Sequence, residues 1–515
     1  MTNLGPSATV DARVPHDLPA QVRHLIDGRL LDSSDGATFE VLDPVTNEVY
    51  LHAAAGGGTE IELAVAAANR ALDRPEWADL TARRRAGILT RMADEIEARG
   101  RRIAALETYD TGLPITQTAG QAARAAENFR FFADLIVGRH EEAYRVPGQQ
   151  LNYVRRHPLG VAGLITPWNT PFMLESWKLA PALAAGCAVV LKPAEFTPLT
   201  ASLWADIGDA AGLPPGVLNV VHGLGESAGE ALVRHPAVPA ISFTGESATG
   251  AHIFAAAAPE LKALSMELGG KSPVVVFADA DLPAALDAVV FGVFSLNGER
   301  CTAGSRVLVE RAVYAEFCQR LAERAAAIRV GEPSDPETEV GALVHPEHLA
   351  KVLGYIEIGR SEGRLVAGGG RPEHLPEGNF VAPTVFVDVE PRARIFQEEI
   401  FGPVVAVSPF DDVDEALRLA NDTRYGLAAY LWTRDLDRAH RIAGSLEAGM
   451  VWVNSHNVRD LRTPFGGIKA SGVGREGGAR SLDFYSEEQA IHVALGGTPA
   501  PVLGRPRHGI EGGGS

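Results

Sequence analysis

GVAGLITPWNTPFMLESWKLAPALAAGCAVVLKPAEF, residues 160 to 196, passes from a short apolar run through an Ala-rich helical stretch into a second run rich in Val. Short apolar runs separated by Ala-rich helices are what a parallel sheet covered by helices on both faces produces. The pattern continues through TASLWADIGDAAG, GVLNVVHG, ESAGEALVRH, AISFTGE and TGAHIFAAAA to Leu268, which predicts a nucleotide-binding α/β domain. A second alternation runs from Gly269 to about Gly477, through SPVVVFADA, a helix leading to Cys301, SRVLVE, a long helix ending near Arg329, NFVAPTVFVDV and VVAVSPF.

Upstream, LIDGRLLDSSDGATFEVLDPVTNEVY (25 to 50) reads as short strands joined by Asp-Gly turns. TEIELAVAAANRALD reads as a helix capped by Thr59, the stretch from Thr81 to Gly112 as a long helical span with a glycine break, and QTAGQAARAAENFRFFADLIVG as another helix. Two extended stretches, AYRVPGQQLNYVRRHPLG and LDFYSEEQAIHVAL, lie far apart in sequence and could pair in one sheet. Residues 1–20 and 498–515 read as flexible ends.

A chain of 515 residues suggests about three domains, and 46% hydrophobic with 22% charged residues is ordinary for a globular protein. The formal net charge of -18 argues against nucleic acid as a partner, since phosphate binding calls for a basic face. An anionic substrate would therefore need locally placed arginines. Three cysteines are too few and too scattered for a disulfide framework or a metal site, so no metal is expected and the compartment is expected to be reducing and cytoplasmic. Cys187 in ALAAGCAVVLK and Cys318 in AVYAEFCQRLAERAAA read as packing residues. Neither a signal-peptide pattern nor a run of 18 apolar residues is present, so no membrane association is expected.

The chemistry centres on FGVFSLNGERCTAGSR, residues 291 to 306, where Cys301 follows a glycine-containing turn with Arg300 beside it, a setting for an exposed thiolate. Upstream, SMELGGKSP presents Glu267 ahead of two glycines, and PWNTPF offers the Asn169 amide. Nucleophile, base and oxyanion donor are the roles that covalent acyl transfer requires. FTGESATG follows a strand and opens a helix, so that Gly245, Gly250 and a helix N-terminus can face a pyrophosphate. In LKPAEFTP, Lys192 and Glu195 sit just past a strand end, the edge at which α/β sheets bind ligands.

PWNTPF, LKPAEFTP, FTGESATG, MELGGKSP, FSLNGERC, EEIFGPV and PFGGIKASGVGREGG occur in this order, and over about residues 20 to 498 the chain resembles the aldehyde dehydrogenase superfamily. The resemblance implies an α/β fold with an NAD-binding domain (21–140 and 162–268), a catalytic domain (269–477) and a small β arm (141–161 and 482–497) that carries a homodimer or homotetramer contact. It implies that Cys301 attacks the aldehyde, Asn169 and the Cys301 N–H hold the oxyanion, Glu267 activates water, and Lys178 and Glu476 form a proton path. It further implies NAD as cofactor, with Lys192 and Glu195 on the adenosine ribose, Trp168 by the pyrophosphate, Glu399 and Phe401 at the nicotinamide, and Gly225, Gly245, Ser247 and Leu268 completing the contacts. A carboxylate at Glu195 would repel a 2′-phosphate, which favours NAD over NADP. Many members carry serine where this chain has Glu246, so either Glu246 faces solvent or Ser247 takes over the pyrophosphate contact. A cysteine hydrolase would need a histidine partner, and no histidine lies in these motifs; a noncatalytic relative would be expected to lose Cys301 or Glu267.

In VWVNSHNVRDLRTPFGG the resemblance places Arg459, Arg462, His456 and Phe465 beside the substrate tunnel, and Arg124 matches another tunnel position. Arginine can clamp a carboxylate with a bidentate fork. The expected substrate is an anionic, conjugated semialdehyde, 5-carboxymethyl-2-hydroxymuconate semialdehyde of homoprotocatechuate breakdown, with 2-hydroxymuconate or 2-aminomuconate semialdehyde, or a broader range of aldehydes, as the alternative. The absence of an aromatic cluster after Asn454 disfavours a cationic aldehyde.

Overall fold

The computed structural model describes residues 15, 18–147, 149–495 and 503–504. Most of the two expected flexible ends, 1–20 and 498–515, lies outside the described residues. The opening stretch forms the strand Val161–Ile165, the helix Pro171–Ala185 and the strand Ala188–Lys192. Both strands are buried along their whole length, as unalternating apolar runs require. With Leu218–Val220, Ala240–Thr244 and Ala263–Glu267 they make five parallel strands in the spatial order 218, 188, 161, 240, 263. The order reverses between Val161–Ile165 and Ala240–Thr244. That reversal opens a crevice at the strand C-termini, where ligands of such sheets bind.

Strands from far away finish this sheet. His24–Ile26 and Arg29–Leu31 add to one edge antiparallel, turned by Asp27 and Gly28 at φ 51° and 75°. Gly472–Val473, from within the stretch read as the second α/β unit, pairs antiparallel with Met266 and Glu267 at the other edge. A two-residue strand with no apolar periodicity leaves no pattern to read, which is why the sequence assigned it elsewhere. The helix expected to be capped by Thr59 spans Gly58–Leu72, with Gly57 at the cap position. The Glu60 carboxylate accepts the Gly57 N–H at 2.8 Å, so the acidic residue does the capping and the threonine does not.

The second sheet has seven strands in the order Arg364–Ala367, Thr384–Val387, Val404–Phe410, Arg306–Glu310, Pro273–Val276, Ala428–Trp432, Met450–Val453, parallel except for the first pair. The two extended stretches do pair: Ser486–Ala494 lies antiparallel to Gln150–Pro158, which also pairs with Ala143–Val146. Among the described residues no helix is long and apolar enough to cross a membrane.

Candidate active site

Between the two sheets lies a cavity of about 410 Å³ lined by Cys301, Glu267, Asn169, Glu399, Phe401 and residues of three helices. Cys301 is set by a strained turn. Leu296, Asn297 and Gly298 all have positive φ (52°, 55° and 74°), a conformation tolerated best by Asn and Gly. Gly298 cannot be replaced, because a Cβ there would stand 2.3 Å from the Gly402 carbonyl carbon. Asn297 locks the turn by donating to Ala342 O at 2.8 Å and accepting from the Gly341 N–H at 2.7 Å. This fixes Cys301 at the cavity wall, while Cys187 and Cys318 are buried as packing residues. Burial, then Glu267 and Glu399, push the Cys301 thiol up to about 12, against the opposing pull of Arg300.

Asn169, in the loop after Val161–Ile165, donates through Nδ2 to Glu299 O at 2.8 Å, which aims its second amide proton without using it. Glu267 ends its strand with both carboxylate oxygens buried and unpartnered. Burial and the nearby Glu476 hold its carboxyl well above the usual range, partly opposed by Lys178. Lys178 Nζ donates to Glu476 Oε1 at 2.6 Å and to Ser242 Oγ at 2.8 Å, a buried network beside Glu267. A thiol, an unused amide proton and a buried carboxyl beside an ion pair can support nucleophilic acyl chemistry.

Toward the crevice, Lys192 Nζ donates to Glu195 Oε2 at 2.8 Å at the end of a strand. The two glycines after Leu268 admit protein groups at close range: a Cβ on Gly269 would stand 2.1 Å from Glu399 Oε2, and one on Gly270 would stand 2.6 Å from Cys301 O. Glu399 accepts the Gly270 N–H at 2.9 Å, and burial raises its carboxyl to about 7. Phe401, at φ 61°, turns its ring edge-on to Trp168 at 5.3 Å. Gly245, Trp168 and Leu268 line the same cavity.

The other expected residues divide between the cavity and its surroundings, and of the two alternatives for Glu246 the structure has the solvent-facing one. Ser247 donates its hydroxyl to Ala470 O at 2.9 Å and does not line the cavity; its side chain ties the helix start to a neighbouring loop. Glu246 is exposed at the rim and makes no cap hydrogen bond. Gly250 faces Leu268, whose methyl carbon a Cβ would meet at 2.5 Å, so it is a packing glycine. Gly225 opens a short helical turn after Leu218–Val220 and is likewise off the cavity wall. Arg462 is an exposed residue whose fork is closed on Asp460, with Nε to Oδ1 at 2.9 Å, and it does not reach the tunnel. His456 stacks on Tyr430 at 4.6 Å beneath Gly292 rather than lining the cavity, and burial lowers its imidazole to about 3.

Arg459, Arg124 and Phe465 do line it. The Arg459 guanidinium lies 3.3 Å over the Trp177 ring and 4.4 Å from the Phe465 ring. Burial, then Arg124, lower its guanidinium to about 9. Sequence reasoning passed over Trp177, Met173 and Leu174, three apolar residues on one side of the helix Pro171–Ala185, and His348 and Lys351 on the helix Pro346–Glu362. The spacing of positions 173, 174 and 177 was a readable sign of a shared face. Nothing in the sequence said that this face meets a cavity.

The chain belongs to the aldehyde dehydrogenase family, whose model matches residues 31–491. It is 50% identical over 468 residues to 5-carboxymethyl-2-hydroxymuconate semialdehyde dehydrogenase of Escherichia coli, covering 90% of this chain and 98% of that one. It is 46% identical over 485 residues to 2-aminomuconic 6-semialdehyde dehydrogenase of a Pseudomonas species, covering 92% and 98%. Among solved structures, HpcC from Thermus thermophilus superposes with a TM-score of 0.92 at 52% identity, covering 94% of this chain and 95% of that one. An NAD+ complex of an aldehyde dehydrogenase from Bacillus cereus superposes with a TM-score of 0.91 at 39% identity, covering 96% and 100%.

Proposed function

We propose that this aldehyde dehydrogenase uses NAD to oxidise an anionic semialdehyde of aromatic-ring cleavage, 5-carboxymethyl-2-hydroxymuconate semialdehyde, to the acid. The observation that carries the substrate class is the tunnel's charge: Arg124 and Arg459 line it, among the described residues neither has a carboxylate within ion-pair distance, and the buried Nη2 of Arg459 has no hydrogen-bond partner. Buried charges are expensive unless compensated, so a substrate carboxylate fits there. The names of the two relatives, both semialdehyde dehydrogenases, agree with that reading.

The residues fit NAD as well. The Lys192–Glu195 pair lies at the sheet's ligand edge, and the cavity runs continuously from Cys301 to Gly245. When bound, NAD supplies the hydride acceptor. The protein's own part is to present Cys301 as a thiolate to the aldehyde carbon, forming a thiohemiacetal whose oxyanion takes the spare Asn169 proton and the Cys301 N–H. Loss of hydride leaves a thioester on Cys301. Glu267, once deprotonated, takes a proton from the attacking water, whose addition breaks the C–S bond and frees the acid and the Cys301 thiolate, and the proton leaves to solvent by way of Glu476 and Lys178. The β arm built by Gln150–Pro158 and Ser486–Ala494 offers an edge for pairing with a second copy of the chain.

The test is NADH formation by the purified protein with 5-carboxymethyl-2-hydroxymuconate semialdehyde, 2-hydroxymuconate semialdehyde and a neutral aliphatic aldehyde. A higher kcat/KM for the carboxymethylated compound supports the assignment. Preference for 2-hydroxymuconate semialdehyde moves it to the related ring-cleavage product, and preference for the neutral aldehyde removes the anionic reading.

A further inference from the structure

Arg300 is the residue next to the nucleophile, and neither the motifs nor the expected clamp gave it a part in substrate recognition. It lines the cavity and keeps some accessible surface although it lies deep between the two sheets. Its guanidinium sits over the Phe291 ring, with Cζ 5.3 Å from the ring centre, and its buried Nη1 has no hydrogen-bond partner. Apart from the Cys301 thiol, the groups around it offer no anion. The Tyr430 hydroxyl is spent on Thr302 O at 2.7 Å, and His456 is stacked on Tyr430 with its Nε2 unpartnered. The neighbouring residue Glu299 is turned the other way, accepting the Val344 N–H at 3.1 Å.

Three guanidiniums, those of Arg124, Arg300 and Arg459, therefore meet around one tunnel, and among the described residues none has a carboxylate within ion-pair distance. Arg124 is near enough to both of the others to weaken their hold on a proton. A single substrate carboxylate can occupy the fork of Arg124 and Arg459 but leaves the third cation uncompensated. The positions differ in a way that matters chemically. Arg300 is joined to Cys301 by one peptide bond, whereas Arg459 reaches the tunnel from a distant loop and packs on Trp177. Arg300 thus offers a cation on the nucleophile's own turn, separate from the Arg124 and Arg459 pair, and its charge acts on the Cys301 thiol.

We propose that Arg300 is a specificity-determining residue that binds a second carboxylate, carried on the carbon next to the aldehyde, so that the tunnel is built for a dianionic semialdehyde. The inference rests on the anionic-substrate reading above and deepens it. In 5-carboxymethyl-2-hydroxymuconate semialdehyde the carboxymethyl group stands on that neighbouring carbon, and the other carboxylate ends the conjugated chain. In 2-hydroxymuconate semialdehyde the neighbouring carbon bears only hydrogen. Arg300 is then what separates the two compounds.

The experiment measures kcat and KM of wild type, Arg300→Met and Arg300→Lys with both semialdehydes and with a neutral aliphatic aldehyde. Arg300→Met should reduce the preference for the dicarboxylate over the monocarboxylate by about 10- to 100-fold, the range of one charge-assisted hydrogen-bonded contact, with the change carried by KM. Arg300→Lys, which keeps the cation and loses the fork, should restore part of that preference. Iodoacetamide alkylation of Cys301 against pH provides a second readout: its midpoint should rise in Arg300→Met, which loses the cation's pull on the thiol, and fall back in Arg300→Lys, a change common to all three aldehydes that leaves the preference ratio untouched. Equal losses on all three aldehydes, or a preference unchanged in Arg300→Met, would overturn the proposal. Failure of the anionic reading itself looks different, because wild type would then favour the neutral aldehyde before any residue is changed.

Discussion

At the crevice end of the cavity two charged groups already have partners, Lys192 with Glu195 at 2.8 Å and Glu399 with the Gly270 N–H at 2.9 Å. Beyond Cys301, at the tunnel end, Arg124, Arg300 and Arg459 have no carboxylate partner among the described residues. The first end lies along the C-termini of parallel strands, where the Lys192–Glu195 pair is satisfied within the fold. The second is built on a helix, the strained turn before Cys301 and a loop, and leaves charge for a ligand to balance. The contrast teaches that groups satisfied by the fold make a general frame, whereas groups left unsatisfied mark where one substrate is told from another.

The largest effect should come where the two ends meet. Cys301→Ala should reduce dehydrogenation to background while leaving NAD binding, followed by quenching of tryptophan fluorescence, as in wild type; loss of both would give Cys301 a structural part instead. Glu267→Gln should slow thioester hydrolysis by roughly 10²–10⁴-fold and leave a burst of NADH in the first turnover. The sign of the pH dependence follows from burial. Because the Glu267 carboxyl is held above its usual range, its base form grows over a higher pH range than that of a free carboxylate, so wild-type kcat should climb as pH rises through it. The variant should lose that climb. Asn169→Ala should lower kcat by roughly 10²–10³-fold, the usual cost of one oxyanion donor.

Smaller effects separate the ends. Glu195→Gln should weaken the preference for NAD over NADP by about tenfold, since the repulsion of a 2′-phosphate by a partly exposed carboxylate is reduced by solvent. The ratio of the two kcat/KM values measures it. At the tunnel end, Arg462→Ala should change neither KM for the semialdehyde nor thermal stability measurably, because its side chain is 81% exposed and engaged with Asp460.

Much of the crevice end was readable, because its residues lie in motifs at strand ends, and unalternating apolar runs give those strands away. The strand Gly472–Val473 was not, since two residues carry no period. The tunnel end was read only in part. Arg459 and Arg462 are three residues apart in a loop without periodicity, so nothing in their spacing said which would turn inward. Asn454 and Asn457, at φ 49° and 52°, bend that loop so that Arg459 packs on Trp177 and Arg462 stays outside. Arg300 was quoted as an electrostatic neighbour of the thiol. Its lack of a partner is a property of the packed structure, which no local pattern reveals.

The most direct test of the unpaired-charge account is a crystal structure of Cys301→Ala with NAD and 5-carboxymethyl-2-hydroxymuconate semialdehyde. The account predicts the chain-terminal carboxylate within hydrogen-bond distance of Arg124 and Arg459, with the aldehyde facing the Asn169 amide. A carboxylate lying in solvent or on Arg462, with the tunnel arginines still unpaired, would contradict it.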